Sequence, residues 1–385
     1  MERHDVIVAG AGPVGLSLAL GLARAGTDVL VLEKEAVTAE HSRAPAIWPG
    51  TQEILAQLGV IERFLEQGIV LRRIEVHDAD RGRVLVRIPI EELRDETLYA
   101  HLLILPQAQT ERLLLQALHE QARARVLFAA EAAGFAQDAS KVEVRYRCNG
   151  REELAQARFV VGCDGAHSRV REFLGAAFEG MTYSVKAALA DVDVEGDNDE
   201  PFPRLTTRPD LVIAIRIDRQ RWRLILPIAS ESGHSLDTRV AEAMRALFPS
   251  RRYRQVWQSE FRLHNRLSSR FAQGRIVLAG DAAHLNSPVG GQGMNAGIRD
   301  AAELTRALHA ALEQDSVEPV AAYAARRRGE IEAGVNRFTD QMTRLLLSGR
   351  GRMVRPVMRT ADMLLRLPPL RRRFLRRVGM LVPRN

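Results

Sequence analysis

Gly10, Gly12 and Gly15 stand at the spacing Gly-x-Gly-x-x-Gly, directly after the apolar run Val6-Ile7-Val8-Ala9 and ahead of a helix-forming stretch. Glycines so spaced hold phosphate without any cationic side chain. Gly10 permits a tight turn, Gly12 lets the backbone approach a pyrophosphate, and Gly15 allows helix to pack closely on strand. Val14 lies inside this fingerprint, and Pro13 falls near the first helical turn, where its missing N–H costs little. The helix start then offers free amides and a partial positive charge to the phosphates. Glu33 closes the next apolar run, 18 residues after Gly15, where an acid suits the two hydroxyls of an adenosine ribose. The set predicts dinucleotide binding without deciding which dinucleotide.

A second glycine-bearing segment narrows the choice. Arg275 to Ala279 reads as a strand feeding Gly280-Asp281-Ala282-Ala283-His284. Asp281 is placed to accept hydrogen bonds from a polyol such as a ribityl chain, which a nicotinamide riboside lacks. Pro288-Val289-Gly290-Gly291-Gln292-Gly293-Met294-Asn295 then leads into a helical stretch from Ile298 to Leu312. A glycine-rich loop opening a helix gathers N–H donors and the helix's positive end at one spot. Donors there would stabilise the N1–C2 carbonyl edge of a flavin, which becomes negative on two-electron reduction. Asp164-Gly165 follows a third run, Phe159 to Gly162. In an open parallel sheet such strand ends border the ligand crevice, so the three segments together predict a flavin nucleotide.

These residues carry a family resemblance. Gly280 to His284, with Pro288, Gly290 to Gly293 and Asn295, resembles the second flavin fingerprint of the single-component aromatic hydroxylases, the group of para-hydroxybenzoate and phenol hydroxylases. Gly162 to Arg171 is similar to the family's Asp-Gly motif, implicated in flavin and nicotinamide binding. Arg43-Ala44 ahead of Thr51 to Leu55, and Pro106-Gln107 ahead of Thr110 to Leu114, resemble two further flavin-contacting segments. Order and spacing agree over about residues 1–310.

The resemblance implies FAD as cofactor, with NADPH or NADH as transient reductant. It implies flavin contacts at Gly10, Gly12, Val14, Gly15, Glu33, Arg43, Gln107, Asp281, Pro288, Gly291, Gln292, Gly293, Met294 and Asn295, with Asp164 bracing the site. It also implies a monooxygenase: a flavin C4a-hydroperoxide, formed from O2, would hydroxylate an aromatic or polyketide-like small molecule. A polyprenyl reductase or a quinone-pathway hydroxylase on the same fold is the rival. Asp300-Ala301-Ala302-Glu303-Leu304-Thr305 departs from the family's pattern and is expected to be surface variation.

The elements that must position these residues give an α/β fold: a doubly wound FAD-binding Rossmann-type domain with an inserted sheet-based substrate domain and a helical C-terminal tail. The expected division is 1–69, 107–184 and 266–349 for the first, 70–106 and 185–265 for the second, and 350–385 for the tail. Leu211 to Ile228 reads as a hairpin turning near Asp218-Arg219-Gln220, and Asp197 to Pro201 as a loop. In the inserted sheet Tyr183, Arg204, Arg216, Trp222 and His234 are pocket candidates. Solvated arginines and a core tryptophan are the plainer expectation, and no catalytic base stands out. His284 reads as a hydrogen-bonded structural histidine and Cys163 as an inert buried thiol.

Charge is unevenly spread. The last 36 residues carry 11 arginines against one acid, Asp362, whereas the rest holds 44 basic and 47 acidic groups. The body of the protein therefore gives no sign of a nucleic-acid partner. Apolar residues from Met353 to Leu381 recur at helical spacing around Pro368-Pro369. Two amphipathic helices packing back on the nucleotide domain or a sister subunit are expected, with peripheral membrane contact as the alternative. Two cysteines, no metal-ligand spacing and no apolar run of spanning length suggest a cytoplasmic monomer or homodimer.

Overall fold

A computed structural model describes residues 1–38, 44–196, 200–228, 235–347 and 353–381. Arg43 and His234, and most of the Asp197 to Pro201 loop, lie outside the described residues. Five parallel strands form the centre of one eight-stranded sheet, in the order Ile276–Leu278, Arg151–Gly162, Glu2–Ala9, Val29–Leu32, Ala124–Leu127. Val6, Ile7, Val8, Val29, Leu30, Val31, Val160 and Val161 are fully buried. Strands covered on both faces need continuous rather than alternating apolar runs, which is why these segments stand out in the sequence. Helix Pro13–Arg24 packs against both Gln107–His119 and Gly293–Gln314. The chain leaves Glu2–Ala9 toward one neighbour, Val29–Leu32, while the other neighbour comes from residues 151–162. The strand order reverses at that point, and a crevice opens there.

The second sheet runs His284–Leu285, Tyr253–Ser268, Phe178–Val194, Arg221–Ile228, Val212–Arg216, Arg204–Thr206, Arg73–Asp78, Arg83–Pro89. Val212–Arg216 and Arg221–Ile228 form the expected antiparallel hairpin. Here the alternation is partial, and one face of the sheet is covered by a helix. Ala188, Ala190, Val192, Ala214, Trp222, Leu224 and Leu226 face the helix Leu236–Leu247 and bury against its Val240, Ala243, Met244 and Leu247. Ser235 caps that helix by accepting the Thr238 amide at 3.2 Å. Arg204 and Arg216 stack on Trp222 on this covered face, at 5.1 and 5.3 Å from its ring centre. Trp222 is the core residue expected, but Arg216 is buried rather than solvated. Its guanidinium gains the tryptophan face in exchange for water.

Helices Val354–Leu365 and Pro368–Val378 form the tail, broken where Pro368 and Pro369 cannot continue the preceding helix. Both fold back on the chain. Leu375 and Val378 join an apolar cluster with Trp48, Leu71, Ile74, Leu102, Ile104 and Ile217. Arg355 is bidentate to Asp78, at 2.9 and 3.0 Å, and also contacts Asp80. Arg372 and Arg376 both contact Glu96. Met363, Leu364, Leu367 and Leu370 remain exposed. Among the described residues, no helix is long and apolar enough to cross a membrane.

Candidate active site

The three fingerprint glycines are required for different reasons. Gly10 has φ +103°, and a side chain there would come within 2.4 Å of the Cys163 carbonyl. One at Gly15 would lie 2.0 Å from the Gly10 carbonyl. Both positions are closed by the protein's own backbone. At Gly12 a side chain would meet nothing within 4 Å. That glycine faces open space at the start of a helix, whose first intrahelical bond, Leu16 to Gly12, leaves the Val14 and Gly15 amides unclaimed. Packing does not demand a glycine here, and the open face leaves room for a pyrophosphate at the helix start.

Glu33 sits beside this loop, its carboxylate accepting the Ala11 amide at 2.7 Å and the Glu35 amide at 2.9 Å. Each oxygen keeps a further lone pair for ribose hydroxyls. Gln107 opens the helix Gln107–His119 and donates to Glu111 at 2.8 Å. Burial raises the Glu111 carboxyl; the Gln107 bond opposes this and the Glu33 charge adds to it. Gln107 therefore lies near Glu33 in the same crevice.

The second fingerprint meets the first directly. A side chain at Gly297 would lie 2.5 Å from Val14 and 3.3 Å from Gly280, so two helix starts converge. Asp281 lies exposed in the single turn Gly280–Ala282. The helix begins at Gly293, five residues before the expected start, and its first intrahelical bond is Ala296 to Gln292. The amides of Gly293, Met294 and Asn295 thus have no intrahelical acceptor. Gly290 and Gly291 hold φ +88° and +62°, the left-handed turn that presents this loop, with Pro288 exposed at its rim.

The side chains around the loop act as struts. Asn295 is fully buried, accepts the Trp48 amide at 2.9 Å and donates to the Ala46 and Gly291 carbonyls at 2.8 and 2.7 Å. Only its backbone remains for a ligand. Gln292 donates to the Val378 carbonyl at 3.2 Å, which ties the tail to the loop. Trp48 donates from its indole to the Gly290 carbonyl at 2.9 Å. Sequence reasoning missed Trp48 and the tail's role because their partners lie 242 and 86 residues away.

Asp164 accepts the Arg169 and Val170 amides at 2.7 and 3.2 Å, and its other oxygen is buried with no hydrogen-bond partner among the described residues. Burial raises its carboxyl against those hydrogen bonds. Arg171 ties this motif to the second fingerprint through the Ala166 and Ala282 carbonyls. The expected surface segment after the loop is instead buried at Asp300, Ala301 and Leu304. Asp300 accepts from the Gly280 amide at 2.9 Å and from His284 and Arg327 at 2.6 Å each. Burial alone would raise this carboxyl, but the charges of His284 and Arg327 hold it at about 2. His284 is thus structural, as expected, and burial pushes the Cys163 thiol well above its usual range. Tyr183 donates to Asp340 at 2.6 Å; burial and that bond push it up to about 12, so it stays a neutral phenol.

Among the described residues no cluster of His, Cys, Asp or Glu could hold a metal ion. The donors suit an anionic dinucleotide with an electron-accepting ring. Residues 3–338 match the family described as FAD binding domain. The chain is 29% identical to para-nitrophenol 4-monooxygenase of Pseudomonas sp. (strain WBC-3) over 85% of this chain and 84% of that one. It is 31% identical to 6-methylpretetramide 4-monooxygenase of Streptomyces rimosus, over 98% of this chain and 68% of that one. The fold matches that of p-nitrophenol 4-monooxygenase from Pseudomonas putida DLL-E4 with a TM-score of 0.89, covering 98% and 99% of the two chains at 24% identity. The chain belongs to the family of FAD-dependent aromatic hydroxylases, and it is an FAD-dependent monooxygenase.

Proposed function

We propose that this monooxygenase uses NADPH or NADH and O2 to hydroxylate an aromatic or polyketide-like small molecule in the crevice between the two sheets. The observation that carries the reading is the open face at Gly12 beside two converging helix starts, the arrangement a flavin dinucleotide needs. The names of the relatives, acting on para-nitrophenol and 6-methylpretetramide, support the substrate class. FAD, when bound, supplies hydride acceptance and oxygen activation. The chain's part is to hold and orient it. The Val14 and Gly15 amides would take the pyrophosphate, Glu33 the adenosine ribose and Asp281 the ribityl chain. The Gly293, Met294 and Asn295 amides would stabilise negative charge at the ring's edge, as preorganised donors do in other sites. Asp164 would position the Asp-Gly turn, and Gln107, with Arg43 from outside the described residues, would complete the expected contacts.

The tail, packed against the loop through Gln292 and Val378, helps exclude water from this crevice. Its exposed Met363, Leu364, Leu367 and Leu370 favour, as a second reading, peripheral contact with a lipid surface by an otherwise cytoplasmic enzyme. Purified protein should retain FAD and, with its substrate, consume NAD(P)H and O2 in equal amounts. Nicotinamide oxidation without oxygen uptake would establish the rival reductase, and protein unable to take up FAD would overturn both.

A further inference from the structure

The last two helices carry apolar side chains on two sides. Inward, Val354 packs with Leu85, Leu205 and Leu211, while Leu375 and Val378 join the cluster around Trp48. Outward, Met353, Met363, Leu364, Leu367 and Leu370 are between 44% and 61% exposed. Five of the fifteen large apolar side chains exposed among the described residues thus fall between Met353 and Leu370. Such side chains scattered singly need no explanation, but a strip of them marks a surface that something covers.

The charge around the strip decides what can cover it. Asp362, the tail's one acid, is turned inward, where it accepts the Arg87 amide at 3.1 Å and pairs with Arg366. Helix Val354–Leu365 lies along strand Arg83–Pro89. Arg359, one helical turn before Met363, is exposed and stands beside Arg81 and Arg83. The Nε of Arg83 is buried with no hydrogen-bond partner among the described residues. Burial, then the charges of Arg359 and Arg81, lower this guanidinium, yet it stays cationic at any physiological pH. Asp78 opposes them, but Arg355 already holds it in a bidentate pair. Three like charges gathered around one engaged carboxylate repel one another, and an external anion would relieve that repulsion.

A second copy of this chain is the poorer occupant, since a two-fold contact through the strip would set its arginines against themselves. A bilayer with anionic headgroups answers both the apolar strip and the charge beside it. We propose that the outer face of the tail docks on an anionic lipid surface. Met363, Leu364, Leu367 and Leu370 enter the acyl boundary, and Arg81, Arg83 and Arg359 meet headgroup phosphates. The inference rests on the peripheral contact given above as a second reading, to which it adds the partner's charge and a cationic cluster reaching beyond the tail.

The test is co-sedimentation of the purified protein with vesicles of phosphatidylcholine alone and of phosphatidylcholine mixed with phosphatidylglycerol. The natural protein should partition onto the anionic vesicles at least about tenfold more strongly, and raised salt should erase most of that preference. Arg81→Gln, Arg83→Gln and Arg359→Gln together should lower anionic-vesicle partitioning at least about tenfold. Met363→Ser with Leu367→Ser should also lower it about tenfold, although neither side chain supports the core. As many charges removed elsewhere, by Arg145→Gln, Arg147→Gln and Arg151→Gln on an exposed hairpin of the first sheet, should change partitioning less than about twofold. Melting and flavin absorbance should stay as in the natural protein. Should the triple variant at Arg83 melt early, Arg81→Gln with Arg359→Gln, both at exposed positions, carries the same test. Equal partitioning onto both vesicle types overturns the anionic partner and leaves the lipid contact standing, whereas no sedimentation with either removes both. Equal weakening by the distant triple variant also overturns the proposal. So does a dimer, found in place of vesicle binding, that Met363→Ser with Leu367→Ser dissociates.

Discussion

The nucleotide crevice and the inserted sheet solve opposite problems. In the crevice, the groups proposed to bind are backbone amides, and side chains such as Asn295, Gln292 and Asp164 are consumed as struts. In the sheet, backbone is consumed by strand pairing, and only side chains are left to meet a ligand. A cofactor shared across a family suits backbone recognition, which tolerates change in side chains. A substrate that differs between relatives suits side-chain recognition, which can change without refolding the sheet.

The largest test of this contrast lies under the crevice. Asp300→Ala would leave Arg327 and His284 buried without their common partner, and should cost about 3–5 kcal/mol in urea unfolding. A loss below about 1 kcal/mol would mean that the crevice is not braced as described. The same carboxylate should mark the acid limb. Its pKa in the folded protein, about 2, lies below the ordinary Asp value, so its stabilisation is complete above about pH 4 and disappears as pH falls toward 2. On the order of 2 kcal/mol should go in that interval, and Asp300→Asn should flatten it.

Gly12→Val and Gly15→Val sharpen the distinction between ligand-demanded and packing-demanded glycines. With open space at Gly12, its variant should melt like the natural apoprotein yet bind FAD at least about tenfold more weakly, about 1.4 kcal/mol. The variant at Gly15, where backbone already stands 2.0 Å away, should fail to fold normally. If both melted alike, the two glycines would have one role. The smallest effect is expected at the tail, where two exposed arginines, Arg372 and Arg376, share Glu96. Glu96→Gln should cost less than about 1 kcal/mol, and less still in high salt.

Much of the site could be read in advance because its motifs are local. Turn, helix start and acid follow one another within about 25 residues of Gly10, and each residue type has one geometric reason to be there. The hairpin from Val212 to Ile228 and the two tail helices were legible for the same reason, as periodicity and breakers mark them without reference to the rest of the chain. What was misread shares another property. Asp300 and Arg216 carry charge, which from sequence points to solvent, yet His284 with Arg327 and the Trp222 ring let them be buried. Asp191 and Arg223, a buried bidentate pair on neighbouring strands of the second sheet, offered no signal beyond a charge within an apolar strand, since neither announces the other across 32 residues.

The amino-acid order by itself determined the parallel-sheet class and the flavin-type fingerprints, because strand burial and glycine turns are short-range consequences of residue type. Only the tertiary structure decided that Gly297 and Val14 bring the two fingerprints into contact, that the tail closes on Gln292, and that Arg223 meets Asp191 across the sheet. Those outcomes depend on pairing between distant segments, and the free energy of a buried charge is set by the neighbour that folding brings to it rather than by its place in the chain.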